Sequence, residues 1–339
     1  MNNFMRDCIT FCISILVISI LSAQPEFQFS LQSWGSYTSY DYPDDSTTTQ
    51  SGFGIRRARL RGKMVRENTA AFIQYEVVSS TVLDVSLDYK LSDNLMVRMG
   101  RFVGPGSQAG SRTGHTSIDL IERSIVGRNW GTAIGRSDSR TIGLALIGKQ
   151  NNFGYEIMVS NGSNSVNLKP YNSKSSESRT DTGLLPQIDV MGHVKFMNTI
   201  KTGIHYGLAN KDRVNKSSLT GFVYFKPHEY NAGNMRFKFD FAKVDDLEGD
   251  IALMGYSALG VYKASRHIEI GSRIETWDKN MDAGDGAVTN FTIGINYSMD
   301  PDNWVDTMFK IDFTFKGAEG NNKIPDPVMM HILWQMYLH

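Results

Sequence analysis

The stretch Met308-Phe-Lys-Ile-Asp-Phe-Thr-Phe315 decides the fold. Phe309, Ile311, Phe313 and Phe315 alternate strictly with Met308, Lys310, Asp312 and Thr314. Successive side chains of a β-strand point to opposite faces, so this period of two makes one apolar face and one polar face. The pattern recurs. Phe237, Phe239 and Phe241 alternate with Arg236, Lys238 and Asp240. Phe291, Ile293, Ile295 and Tyr297 alternate with Thr292, Gly294 and Asn296. Leu83, Val85, Leu87 and Tyr89 alternate with Asp84, Ser86, Asp88 and Lys90, and Ile200 to Leu208 does the same around Lys201 and His205.

Read along the chain, this period predicts about sixteen strands of ~10 residues, the length a membrane-crossing strand needs. They fall near 26–39, 52–66, 69–79, 81–91, 94–103, 139–149, 152–160, 186–197, 199–209, 217–227, 234–244, 250–263, 265–277, 287–298, 305–317 and 327–338. Short turns such as Lys90-Leu-Ser-Asp-Asn94 alternate with long polar connections at 40–51, 161–183, 278–286 and 317–326. Open sheets rarely exceed ~10 strands. In lipid an unpaired strand edge costs several kcal/mol per group, so a sheet this large must close. The expected fold class is therefore all-β: a transmembrane antiparallel β-barrel of about sixteen strands. A barrel of that size leaves an aqueous channel. The last strand agrees, because Val328, Met330, Ile332, Trp334, Met336 and Leu338 carry one apolar face almost to the final residue.

The N-terminus reads as a secretory signal peptide over residues 1–23. Arg6 supplies the positive charge, an apolar run follows from Cys8 to Leu21, and the small residues Ser22 and Ala23 precede Gln24. The barrel would then occupy 24–339. Both cysteines, Cys8 and Cys12, lie in the signal, so the exported chain has neither disulfides nor thiolate chemistry. Lys plus Arg and Asp plus Glu balance at 35 each, which argues against a nucleic-acid partner. Charge selectivity must then come from where charges sit. No nucleophile elbow, metal-spaced His pair or phosphate-binding glycine loop is present. No enzyme activity, cofactor or metal is expected, and His193 and His205 read as solvated lumen residues.

The sharpest local feature is Phe53-Gly-Ile-Arg-Arg-Ala-Arg-Leu-Arg-Gly-Lys-Met-Val65. Arg57, Arg59, Arg61 and Lys63 share one parity and form a basic ladder with rungs ~6.8 Å apart. A mid-bilayer Arg facing lipid would cost ~2–4 kcal/mol, so the ladder is expected to line water. Arg98, Arg236, Lys238 and Arg273 are further pore-lining candidates, with Lys195 also on the lumen parity. Two readings of the ladder stand side by side. It is a path for anions, or it is a wall lattice neutralised by Glu76, Asp84 and Asp88. Residues about 103–138 are too long for a turn. They hold Gly104, Pro105, Gly106, Gly110 and Gly114 and the run Ser117-Ile-Asp-Leu-Ile-Glu-Arg-Ser124. Folded into the lumen, this loop would bring Arg112, Arg123 or Arg128 to a constriction; otherwise it is an external loop with a short helix.

These residues resemble a known family. The run Phe53 to Val65, Asp84-Val-Ser-Leu-Asp-Tyr-Lys90, Val97-Arg-Met-Gly-Arg-Phe102, Ile121-Glu-Arg-Ser124 and Gly294-Ile-Asn-Tyr297 follow the order seen in phosphate-selective porins of the O and P type. The resemblance implies a sixteen-stranded, trimeric outer-membrane porin with an inward third loop and a basic lumen ladder. After Phe102 the chain departs from that pattern: Val103-Gly-Pro-Gly-Ser107 stands where the family has a lysine and a Pro-Phe pair. The expected function is passive diffusion of small hydrophilic solutes, anion-preferring, with phosphate or similar anions as candidates. The expected surroundings are outer-membrane lipid. The competing function is a structural or surface-anchoring barrel with an occluded lumen.

Overall fold

The computed structural model describes residues 25–41, 47–136, 138–161, 187–197, 199–211, 214–226, 234–247, 251–282, 286–318 and 327–339. The expected signal peptide, residues 1–23, and most of the expected long connections at 161–183 and 317–326 lie outside the described residues. Sixteen strands follow one another: β1 (Glu26–Asp41), β2 (Thr47–Arg66), β3 (Thr69–Glu76), β4 (Thr81–Ser92), β5 (Leu95–Val103), β6 (Arg140–Gln150), β7 (Phe153–Ser160) and β8 (Gln187–Phe196). They continue as β9 (Ile200–Lys211), β10 (Val214–Phe225), β11 (Met235–Asp246), β12 (Ala252–Lys263), β13 (Ile268–Asp278), β14 (Ala287–Ser298), β15 (Thr307–Ala318) and β16 (Val328–Leu338). Each pairs antiparallel with its sequence neighbour, and β16 returns to pair with β1 over Phe29↔Leu338 to Ser39↔Val328. The sheet is a closed all-β barrel without an edge.

Side-chain burial follows the sequence parity. On β11 the outward Phe239 is 44% exposed while the next residue, Asp240, is 5% exposed. On β15 Phe313 and Phe315 face out, and Lys310 and Asp312 are buried inside. On β16 Trp334 and Leu338 face out and Gln335 is buried. The exterior is thus an apolar band and the interior carries the charges, the arrangement a bilayer selects. No helix among the described residues is long and apolar enough to cross a membrane.

The structure differs from the sequence pattern in three places. β1 and β2 extend into the expected loop 40–51 from both sides, as far as Asp41 opposite Thr47. Thr47, Thr48 and Thr49 are polar but β-branched, and the backbone follows the second property. Bulges then shift phase. Gln32 pairs with Arg57 but Ser33 pairs with Ile55, so Arg56 is the extra residue. Gln74 pairs with Asp84 but Tyr75 pairs with Val82, which turns Leu83 inward, buried, away from its exposed parity mates Val85 and Leu87.

The connection between β5 and β6 crosses the inside of the barrel. It contains one turn of 3-10 helix at His115–Ser117 and a helix, α1 (Ile125–Ala133). The Ser124 hydroxyl caps α1 by accepting from the Gly127 amide at 3.2 Å. Ile125, Val126, Trp130, Ala133 and Ile134 form an apolar cluster with Ala209, Ala242, Val244 and Trp277 from β9, β11 and β13. Two glycines permit this approach. A Cβ on Gly127 would lie 2.4 Å from the Ala109 carbonyl carbon, and one on Gly106 would lie 2.0 Å from the Trp130 ring.

Candidate functional site

The inward loop is fastened to the β11–β16 side of the lumen. Asp119 is ion-paired with Arg236 at 3.3 Å and with Lys238. Lys310 Nζ donates to the Ile118 carbonyl at 2.5 Å, and the Ile121 amide donates to Asp312 Oδ2 at 2.5 Å. Arg273 donates to the Glu122 carbonyl at 2.7 Å, and Glu275 Oε2 accepts from the Ile125 amide at 2.8 Å. On the near side Arg56 pairs with Glu122 at 2.5 Å. Burial alone would raise the Asp119 carboxyl, but Lys238 and Arg236 overcome it and hold the group below the ordinary carboxylate range. The same contest at Glu122 is won by Arg56. Three of the sequence candidates therefore sit beneath the loop. Arg236 also binds Glu269 at 2.5 Å, Lys238 binds Asp119, and Arg273 binds Glu275 at 2.9 Å.

What the loop leaves open is a cavity of about 410 Å³ against β2–β6. Arg59, Arg61, Lys63, Arg98, Arg112, Arg123 and Arg140 line it, with only Asp84 and Asp88 as lining carboxylates. With Glu26, Glu76 and Glu156 paired to Lys63, Arg59 and Arg112, these cations still outnumber their acids, and the surplus is Arg61 and Arg123.

The ladder residues are held differently from one another. Arg59 Nε donates to Glu76 Oε2 at 2.7 Å. Arg57 Nη1 donates to Gln32 Oε1 at 2.9 Å, and Arg61 Nε donates to Gln74 Oε1 at 2.8 Å. Lys63, near the end of β2, lies 3.7 Å from Glu26, both substantially exposed. Arg98 makes a two-pronged contact with Asp88 at 2.7 and 2.8 Å.

From the loop, Arg112 binds Glu156 at 2.5 and 2.9 Å, and Arg123 donates to the Gly110 carbonyl at 2.5 Å. Arg128 projects from α1 with its side chain exposed. Among the described residues, Arg57, Arg61 and Arg123 have no carboxylate within ion-pair distance; their acceptors are amide and carbonyl oxygens, with His115 and the Tyr337 hydroxyl also near Arg61. Burial, then the charges of Arg57 and Arg59, lower the proton affinity of Arg123, as crowded positive charge should.

Three residues of this site escape parity reasoning. Arg56 turns inward because of the bulge, and its guanidinium lies 4.7 Å from the Trp34 ring centroid. The signal was present: Phe53 and Ile55 are exposed on odd positions and Leu60 on an even one, so the apolar phase must break between them. Arg140 shares parity with exposed Leu144 yet, as the first residue of β6, reaches inward to bind Asp84 at 3.0 Å through two nitrogens. His115 carries no sequence signal at all.

No family model matches the sequence, and no curated protein matches it. Solved structures match the fold. An anion-selective porin from Comamonas acidovorans superposes with a TM-score of 0.70 at 12% identity, over 94% of this chain and 100% of that one. The in-vitro folded trimer form of OmpT, an outer membrane protein of Vibrio cholerae, gives 0.62 at 12% identity, over 93% and 99%. OprB of Pseudomonas putida gives 0.63 at 10% identity, over 96% of each chain. Similarity at this level of identity is similarity of fold. The protein is a sixteen-stranded antiparallel β-barrel whose fold resembles that of outer-membrane porins. Among the described residues no group of three His, Cys, Asp or Glu side chains could hold a metal ion.

Proposed function

We propose that this protein is an outer-membrane porin, exported through a cleaved signal peptide, which lets small anions diffuse through a passage between β2–β6 and the inward loop. One observation carries the reading: the arginines without carboxylate partners, Arg61 and Arg123, face the same cavity, and Arg57 stands beside them on the ladder. A guanidinium 4 Å from a unit negative charge contributes about 4 kcal/mol at an effective dielectric near 20. Its planar fork suits the paired oxygens of phosphate and carboxylate. Small oxyanions, phosphate among them, are the preferred solutes. Rungs at ~6.8 Å spacing let an ion pass from one guanidinium to the next without a trap deep enough to hold it. By analogy with the OmpT trimer form, the working assembly is a homotrimer.

Reversal potentials in a planar lipid bilayer under a KCl gradient test this. Wild type should be anion-selective, and the triple variant Arg57→Ala, Arg59→Ala, Arg61→Ala should lose most of that preference. A cation-selective wild type ends the anion reading. If the variant loses heat resistance while selectivity stays unchanged, the ladder is wall structure. The apolar cluster of α1 fills the β9–β13 side of the lumen, which is the observation favouring a barrel that is occluded and serves as a surface anchor. Well-folded protein that never conducts would select that reading.

A further inference from the structure

His115 sits where the inward loop meets the ladder. Its Nδ1 lies 3.1 Å from Arg59 Nη1 and 3.2 Å from Arg61 Nη2. A guanidinium has five N–H donors and no acceptor, so Nδ1 must be the acceptor in both contacts. The ring proton is then on Nε2, which donates to the Ser30 hydroxyl at 2.8 Å. One neutral ring thus takes a hydrogen bond from two adjacent rungs at once.

We propose that His115 is a positioning residue for anion passage: a neutral acceptor delivered by the loop, which aims Arg59 and Arg61 into the cavity without cancelling either charge. This rests on the anion-path reading of β2 and supplies what that reading lacks, a reason the ladder keeps its field. A carboxylate at the same place would hold the two guanidiniums as firmly and remove one of their charges. Arg59 also answers Glu76 and Lys63 lies near Glu26, but Arg57 and Arg61 on the ladder and Arg123 from the loop follow the same rule. Gln32 holds Arg57, Gln74 holds Arg61 and the Gly110 carbonyl holds Arg123, each a neutral acceptor. The ring is buried and faces Arg57, Arg59, Arg61 and Arg123, and burial followed by those charges drives its proton affinity far below the ordinary histidine value.

The ring can be changed without releasing the loop. The backbone is tied separately, by Gln32 Nε2 donating to the His115 carbonyl at 3.2 Å and Gln335 Nε2 donating to the Thr116 carbonyl at 3.1 Å. The test uses the full-length barrel reconstituted in planar bilayers, with chloride and potassium as probes. His115→Glu supplies a charged acceptor and should lower the chloride-to-potassium permeability ratio about thirtyfold, because one unit charge near 4 Å in water-like surroundings changes each ion's occupancy about fivefold and in opposite directions. His115→Gln supplies a neutral acceptor and should keep the wild-type ratio. Heat-modified gel mobility of both variants reports folding, and His115→Asn, shorter but neutral, substitutes if Gln does not fold.

A ratio unchanged in folded His115→Glu, with Arg61→Ala still lowering it, overturns the role of His115 and leaves the anion path standing. A ratio lowered equally by Gln and Glu also overturns it, because the neutrality of the acceptor then does not matter. A wild type without anion preference overturns the anion path itself.

Discussion

Replacing Asp119 by Asn tests how the loop is held. Asp119 bridges Arg236 and Lys238, which are 7% and 8% exposed. Removing one partner of a buried ion pair costs about 3–5 kcal/mol, because the remaining charge stays desolvated. Arg236 keeps Glu269 at 2.5 Å, so only Lys238 loses its partner and the cost belongs at the lower end, about 3 kcal/mol.

The loop itself should not leave. It retains charge-assisted hydrogen bonds to Lys310, Asp312, Arg273 and Glu275 and the Arg56–Glu122 pair. Each such bond contributes about 1.5–3 kcal/mol, so together they outweigh the loss. The variant should therefore unfold several degrees lower in a heat-modified gel assay while single-channel conductance stays at the wild-type level. An unchanged thermal transition would show that the Asp119 cluster is hydrated rather than buried. A large rise in conductance would show that the other anchors do not hold the loop, and the division of the lumen into a filled side and an open side would fall with it.

Phe239→Arg places a charge on the outward face of β11, where lipid exposure predicts a penalty of about 2–4 kcal/mol. Folding yield into phospholipid vesicles should drop, and a yield equal to wild type would refute the lipid-facing assignment. Acid should weaken the fold through His115. The unfolded ring takes up a proton below pH ~6.5, while the folded ring, held low by burial and its four arginines, does not. Stability therefore falls as pH drops below that value, by at most about 1.4 kcal/mol per pH unit for one proton. Asp119 and Glu122, also held low, add their loss only below the unfolded carboxylate range near pH ~4.5. Between these limits His115→Gln should show a shallower decline than wild type in thermal stability against pH; parallel declines would mean that the ring is not proton-free.

All sixteen strands were legible because a membrane barrel wall repeats one local rule, apolar out and polar in. That rule is written at each pair of residues, as at Phe239 and Asp240. It fails where geometry depends on a partner strand. Arg56 faces inward only because β1 pairs past it, and Leu83 turns in because β3 does the same. The loop was legible as a long segment but its contacts were not, since they join residues far apart in the chain, such as Asp119 with Lys238 or Ile121 with Asp312. Sequence parity puts Arg236, Lys238 and Arg273 on the same inner face as Arg61. Only the loop's position separates cations that fasten it from those that face the open cavity.

A chain with as many acids as bases can still leave a surplus of positive charge on one face of its lumen, as the proposed passage needs. The carboxylates are not scarce; they are paired on both walls. Glu269, Glu275 and Asp312 lie on the wall beneath the loop, where they pair with basic side chains or accept from the loop's own amides. On the other wall Glu76, Asp84, Asp88 and Glu156 answer Arg59, Arg140, Arg98 and Arg112, but Arg57 and Arg61 are given glutamines, and the loop adds a histidine between two rungs. An arginine needs acceptors to stay oriented, and an acceptor need not be charged to orient it. Gln and His in place of Asp and Glu at those contacts keep the geometry of an ion-pair lattice without adding negative charge, which is what the proposed anion path requires. Net charge, an average over the whole chain, is blind to that choice.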